Sequence, residues 1–333
     1  MQPIKTALLG YGLSGRYLQG PFYAAHPGFE LVRVVTSRAE EVAADFPGLS
    51  PTANVEEVFA DKTVDLVSIA TPNATHYGFV RAALEAGKHV LVDKPACATA
   101  AELRELRDLA ARKQRHLFVF QNRRWDSDFL TVQKVLRSGE LGRLVGFEAR
   151  YDRWKPTPNA KAWKETPGPG AGMIYDLGAH LIDQAIACFG IPEHVTGRNW
   201  TQRPFSTIPD AFDLHLEYDG FGADLSCSLL VREPTPRYRL HGDKGAFVKF
   251  GIDVQEDQLK EGLRPEHPYF GREPEAQDGI LHTATGRASY PTLTGRWLGL
   301  FENMYEVISG RAEPAVPLGD VVAQLEIIEG VRG

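Results

Sequence analysis

The chain has 333 residues, long for one hydrophobic core and enough for two domains, and its net charge of −6 comes from acidic and basic residues mixed along its length, with no stripe for nucleic acid. No apolar run approaches the roughly 18 residues of a membrane span, no polybasic arm suits a lipid surface, and the first strand pattern begins too near Met1 for a signal peptide, so a cytoplasmic protein is expected. Cys97, Cys188 and Cys227 are odd in number and far apart, which argues against a disulfide framework and against a metal cluster.

Short apolar runs at residues 4–9, 31–35, 66–70, 90–92 and 117–120 alternate with segments of helical spacing, notably 77–86 and 100–113. Continuous rather than alternating apolar runs mark strands buried on both faces, as helices on both sides of a parallel sheet produce. The pattern predicts an α/β, doubly wound Rossmann domain over residues 1–121. In such sheets ligands sit beyond the carboxyl ends of the strands.

The first run leads into Gly10-Tyr11-Gly12-Leu13-Ser14-Gly15. Such glycine-rich turns also close ordinary hairpins. Between a strand and a helical pattern, though, one brings backbone amides close to a pyrophosphate, because glycine has no Cβ to hold it away. Gly10, Gly12, Leu13, Ser14 and Gly15 are therefore expected to bind a dinucleotide. After the second run comes Thr36-Ser37-Arg38, where an NAD enzyme would place Asp or Glu on the ribose diol. A small hydroxyl followed by Arg suits a 2′-phosphate, so Ser37 and Arg38 predict NADP, with NAD as the alternative; an ordinary solvated Arg38 is the plainer reading.

Thr71-Pro72-Asn73, with His76, follows the third run, and Asp93-Lys94-Pro95 follows the fourth. Each could be a turn with a helix cap, Thr75 or Thr99. Both nevertheless end strands of one sheet, where a nicotinamide would rest. An ammonium such as Lys94, on a short turn, can donate to a reacting oxygen and steady its negative charge.

Beyond Gln121 the pattern changes at Asn122-Arg123-Arg124-Trp125-Asp126, which starts a second domain, residues 122–333. A helix over 128–138 and a strand over 144–151 are predicted. Residues 152–170 hold four prolines and two tryptophans without periodicity, and read as an ordered lid. Asp176 and His180 are four apart and would share a helix face, so the carboxylate could orient the imidazole for proton transfer. A solvated polar stripe, or a core histidine satisfied locally, has the same spacing. Residues 213–218 and 224–229 alternate polar with apolar, which predicts a mostly antiparallel, open sheet in an α+β domain. Residues 273–295 read as an irregular loop, and 300–308 and 321–328 as helices.

Taken together, Gly10 to Gly15, Thr71-Pro72-Asn73 with His76, Asp93-Lys94-Pro95, and Gly170-Ala171-Gly172 leading to Asp176 and His180 resemble the Gfo/Idh/MocA oxidoreductases. The family more often has Glu-Lys-Pro at the lysine and a third glycine at Ala171. The resemblance covers nearly the whole chain, and several later stretches look like the branch of NADP-dependent scyllo-inositol dehydrogenases. It implies that Lys94 and Asp176 contact the substrate oxygens, that His180 is the acid/base, and that chains pair through the second sheet as homodimers or homotetramers. A cyclitol, sugar or other polyol is the implied substrate, with Arg123, Arg124, Asp126, Arg153, Trp154 and Trp163 as candidates to surround it. Each of these could equally serve the structure. The alternatives are a non-catalytic dinucleotide-binding regulator of the same fold and a dehydrogenase of dihydrodiols or other carbonyl compounds.

Overall fold

The computed structural model describes residues 2–49, 51–158 and 165–331. The chain forms two compact units, each with its own sheet. The first comprises Met1–Gln121, Glu256–Phe270 and Trp297–Val322; the second comprises Asn122–Gln255, Gly271–Arg296 and Ala323–Gly333. The chain thus leaves the first unit after Gln121 and returns to it twice.

In the first unit β1 (Ile4–Leu9), β2 (Phe29–Val35), β3 (Leu66–Ile69), β4 (His89–Val92) and β5 (Leu117–Val119) form a parallel sheet of order β2-β1-β3-β4-β5. Every residue of β3 is buried, as expected of a central strand covered on both faces. The connections carry α1 (Gly20–Ala25), α2 (Ala39–Asp45), α3 (Val55–Ala60), α4 (His76–Glu85) and α5 (Ala100–Lys113). A capping box starts α5: Thr99 Oγ1 accepts from the Glu102 N–H at 3.2 Å and the Glu102 carboxylate accepts from the Thr99 N–H at 3.2 Å, worth about 1 kcal/mol. Strand order reverses between β1 and β3, which makes their carboxyl ends the switch point of the sheet.

The second unit is built on an eight-stranded sheet of order β13-β12-β11-β10-β6-β9-β8-β7. Its strands are β6 (Leu144–Arg150), β7 (His194–Trp200), β8 (Ala211–Tyr218), β9 (Phe221–Ser228), β10 (Tyr238–Gly242), β11 (Gly245–Lys249), β12 (Gly279–Thr283) and β13 (Gly286–Tyr290). Only β6 and β9 pair in parallel. One face packs Phe147, Leu214, Leu225 and Leu240 into a core shared with α6 (Ser127–Ser138) and α7 (Ala179–Phe189). The other face carries charge, with Glu148 opposite Arg239 and His215 opposite Asp224. Residues 273–295 are not the irregular loop expected, for they supply the β12–β13 hairpin.

Three further helices, α8 (Gln255–Lys260), α9 (Leu298–Ile308) and α10 (Leu318–Gly330), complete the chain. Aromatic packing accounts for the return of α9 to the first unit. Phe301 stacks on Phe22 with centroids 5.2 Å apart and meets Tyr23 edge-on at 5.0 Å, contacts worth about 0.5–1.5 kcal/mol each beyond burial. Among the described residues, no helix is long and apolar enough to cross a membrane.

Candidate active site

The three glycines after β1 have three different surroundings. Gly10 has φ +92°, and a Cβ there would lie 2.6 Å from the Ala70 carbonyl oxygen at the end of β3. A Cβ on Gly15 would lie 2.1 Å from the Gly10 carbonyl oxygen, so its absence permits the helix to pack on the turn. Gly12 has nothing within 4 Å in that direction. One glycine makes the turn, one lets the helix close on it, and one leaves open backbone for a ligand, the division of labour a pyrophosphate requires. The residues present therefore fit a dinucleotide. Ser14–Gln19 is π-helical and runs directly into α1.

Side chains of α2 brace this turn. Tyr11 Oη donates to Asp45 at 2.8 Å, Arg16 Nε donates to the same carboxylate at 2.7 Å, and Arg16 also pairs with Glu41. Burial alone would raise the Asp45 pKa, but the bonds from Arg16 and Tyr11 outweigh it and hold the group below its ordinary value. Ser37 and Arg38 are exposed beyond the end of β2, where Thr36 Oγ1 accepts the Arg38 N–H at 3.0 Å. The Arg38 guanidinium meets Glu41 only loosely, at 3.6 Å, and its side chain is 54% exposed.

The other two predicted turns lie side by side, because Ile69 and Val92 are register partners on β3 and β4. Asp93 Oδ1 accepts the Lys94 N–H at 2.8 Å, and Lys94 itself is half-buried. His76 is fully buried between the turns, with Nδ1 2.8 Å from the Pro95 oxygen and Nε2 2.9 Å from the Thr71 oxygen. Both ring nitrogens are thereby taken, so His76 can act on a cofactor only through the turns it ties together. Thr71, Pro72 and Asn73 remain at least partly exposed beside them. Cys97, close by in sequence, is 2% exposed, and burial with the Glu102 charge pushes its thiol up to about 12, away from the thiolate form a nucleophile needs.

In the second unit Gly170 and Gly172 have positive φ, +71° and +97°, whereas Ala171 between them does not, which explains why alanine is tolerated there. Ile174–Gly178 is π-helical and continues into α7. Asp176 is exposed, while His180, four residues on, is only 4% exposed. Several buried groups hold α7. Arg124 grips Asp183 with both arms, at 2.9 and 2.7 Å; Gln184 Nε2 donates to the Arg123 oxygen at 2.9 Å; and Gln184 Oε1 accepts from Tyr238 at 2.7 Å and from Arg237 at 2.9 Å. Asp183 and Gln184 were not singled out in the sequence, although two polar residues within the apolar run of α7 were the available signal.

The fork of Arg124 is spent on Asp183 and its side chain is 9% exposed. Arg153 is half-buried, and its backbone donates to Ser228 at 2.8 Å. Arg153 to Lys155 thus run as an extended ladder against residues 228–230, so this end of the predicted lid is regular. Trp154 lies in it with the Arg232 guanidinium 5.5 Å from its ring. Trp163 lies outside the described residues.

A family model described as an oxidoreductase family with NAD-binding Rossmann fold matches residues 4–121, and the GFO/IDH/MocA C-terminal domain model matches residues 129–248. The chain is 38% identical to the uncharacterized oxidoreductase YdgJ of Escherichia coli over 98% of its own length and 94% of that protein. It is 37% identical to the scyllo-inositol 2-dehydrogenase (NADP(+)) IolW of Bacillus subtilis over 98% and 92%. A solved oxidoreductase from Bacillus cereus, 30% identical, matches with a TM-score of 0.89 over 98% of this chain and 95% of that one. The glycine turn, the lysine turn and the helix bearing His180 therefore stand in a chain that belongs to the Gfo/Idh/MocA family of NAD(P)-binding oxidoreductases.

Proposed function

We propose that this oxidoreductase transfers a hydride between NADP(H) and a carbon bearing a secondary hydroxyl on a cyclitol, sugar or related polyol, with inositols leading. The observation that carries the proposal is the lysine turn: Lys94 stands at the carboxyl end of β4, beside the end of β3, on a backbone fixed by Asp93 and His76. The bound dinucleotide would supply the hydride-accepting ring. In the oxidising direction His180 takes the hydroxyl proton while Lys94 and Asp176 hold the oxygen, and in the reducing direction His180 returns it. Asp183 and Gln184 serve this scheme by fixing the helix on which His180 stands. Ser37 and the exposed Arg38 support NADP over NAD, as does the name of the Bacillus subtilis relative. The charged open face of the second sheet suits pairing of chains into a homodimer or homotetramer.

A panel of cyclitols and sugars assayed with NADP and NAD tests the proposal, with Lys94→Met as the control variant. Turnover should fall by about a hundredfold or more in that variant, the scale of lost acid/base or oxyanion stabilisation. Its dinucleotide affinity should stay unchanged. Full activity in Lys94→Met, or binding of dinucleotide without turnover of any polyol, would defeat it.

A further inference from the structure

Beneath the glycine turn runs a buried chain of polar side chains that the hydride-transfer scheme does not use. Tyr23 Oη donates to Ser68 Oγ at 2.8 Å, Ser68 Oγ donates to Gln19 Oε1 at 2.6 Å, and Gln19 Nε2 donates to Ser14 Oγ at 3.1 Å. Gln19 and Ser68 are 0% exposed and Tyr23 is 1% exposed, while Ser14 is only half-buried, in the turn itself. The 2.6 Å spacing is that of an O–H···O bond and the 3.1 Å spacing that of an N–H···O bond, which orients the Gln19 amide with its oxygen on Ser68.

Each link then fixes the next. An amide oxygen only accepts, so Ser68 spends its one proton on Gln19 and must accept from Tyr23. Burial raises the Tyr23 hydroxyl far above its ordinary pKa, against a smaller lowering by the Ser68 bond, so its proton stays in place to be donated. At the other end an amide nitrogen only donates, so Ser14 Oγ must accept and keeps its own proton. Among the described residues no acceptor takes that proton.

The same chain accounts for the local helix form. Ser14 and Gln19 are the first and last residues of the π-helical stretch. Five positions along an α-helix would leave their side chains about 140° apart around the axis. The wider turn of a π-helix, closed by i→i+5 bonds, brings them to one side.

We infer that Ser14 donates its hydroxyl proton to a phosphate oxygen of the bound dinucleotide, and that Gln19, backed by Ser68 and Tyr23, is the positioning residue that points the hydroxyl outward. The inference rests on the dinucleotide reading of the glycine turn and adds a directed donor to it. Calorimetric titration of the full chain with NADP tests it. Ser14→Ala and Gln19→Met should each weaken binding about tenfold, as expected for a lost bond to a charged group. The double variant should bind no worse than Ser14→Ala alone. Ser68→Ala, which frees the Gln19 amide to turn over, should weaken binding in the otherwise unaltered chain and change nothing once Ser14 is alanine. A general structural role would instead lower affinity in either background, so losses that multiply would overturn the inference, as would unchanged binding in Gln19→Met. Failure of the unaltered chain to bind either NADP or NAD would bring down the dinucleotide reading as well.

Discussion

Alanine placed at each of the three glycines should separate folding from binding. At Gly15 the new methyl would sit 2.1 Å from the Gly10 carbonyl oxygen, a backbone atom with no rotamer to escape into. The helix must shift, and overpacking of this kind costs about 1–3 kcal/mol, occasionally more. At Gly10 the residue must also hold φ +92°, which adds about 1–2 kcal/mol for an L side chain. At Gly12 the methyl meets nothing within 4 Å, so stability should change by less than about 0.5 kcal/mol or rise slightly. That methyl would stand where the pyrophosphate approaches the backbone. Losing one bond to a charged group there costs about 1.5–3 kcal/mol, roughly tenfold to a hundredfold in Kd. Thermal unfolding without ligand and calorimetric titration with NADP read the two effects separately. For units of this size about 1 kcal/mol moves the midpoint by roughly 2–4 °C, so Gly10→Ala and Gly15→Ala should melt several degrees early. If Gly12→Ala proved as unstable as Gly15→Ala, or bound NADP as well as the unaltered protein, the assignment of separate roles would be wrong.

Arg38→Asp should weaken NADP binding at least tenfold more than NAD binding, since it replaces a cation with a repelling carboxylate at the proposed 2′-phosphate position; equal losses for both cofactors would retire the preference. Arg124→Met strands Asp183 at 2% exposure without its cation, which should cost about 3–5 kcal/mol in urea unfolding. The double variant Arg124→Met with Asp183→Leu should regain much of that, and equal loss in single and double variants would show the pair to be unimportant. Sedimentation equilibrium should give a multiple of the chain mass, reduced by Asp224→Lys on the open face; a single-chain mass for the unaltered protein would end the case for pairing there.

Elements whose burial follows a simple period were legible in the sequence. The run Leu66–Ile69 is buried at every position and reads as a central parallel strand, and Ala100–Lys113 carries its cap at Thr99 and its apolar face at Leu103, Leu106 and Ala110. The hairpin of β12 and β13 was not legible, because Gly286, Arg287, Ala288 and Ser289 are all exposed and give no hydrophobic signal. Neither was the return of residues 298–308 to the first unit. Helical spacing shows that Leu300, Phe301 and Met304 face a core, and cannot say which one. At the glycine turn the motif was visible, but the chain from Ser14 to Tyr23 was not, since Ser68 stands 49 residues from Gln19 and looks like any small residue in a strand.

Both helices that carry the candidate chemistry have a π-helical stretch in their opening turns, Ser14–Gln19 and Ile174–Gly178. In the first helix the departure follows from what the turn must do. A regular α-helix after Gly12 would turn Gln19 away from Ser14. In the second helix Asp176 is exposed while His180, four residues on, is only 4% exposed. Periodicity read at 3.6 residues per turn locates both helices and does not register their π-helical stretches. A departure from regular helix at the residues of a proposed site is what a conflict between regular structure and function produces.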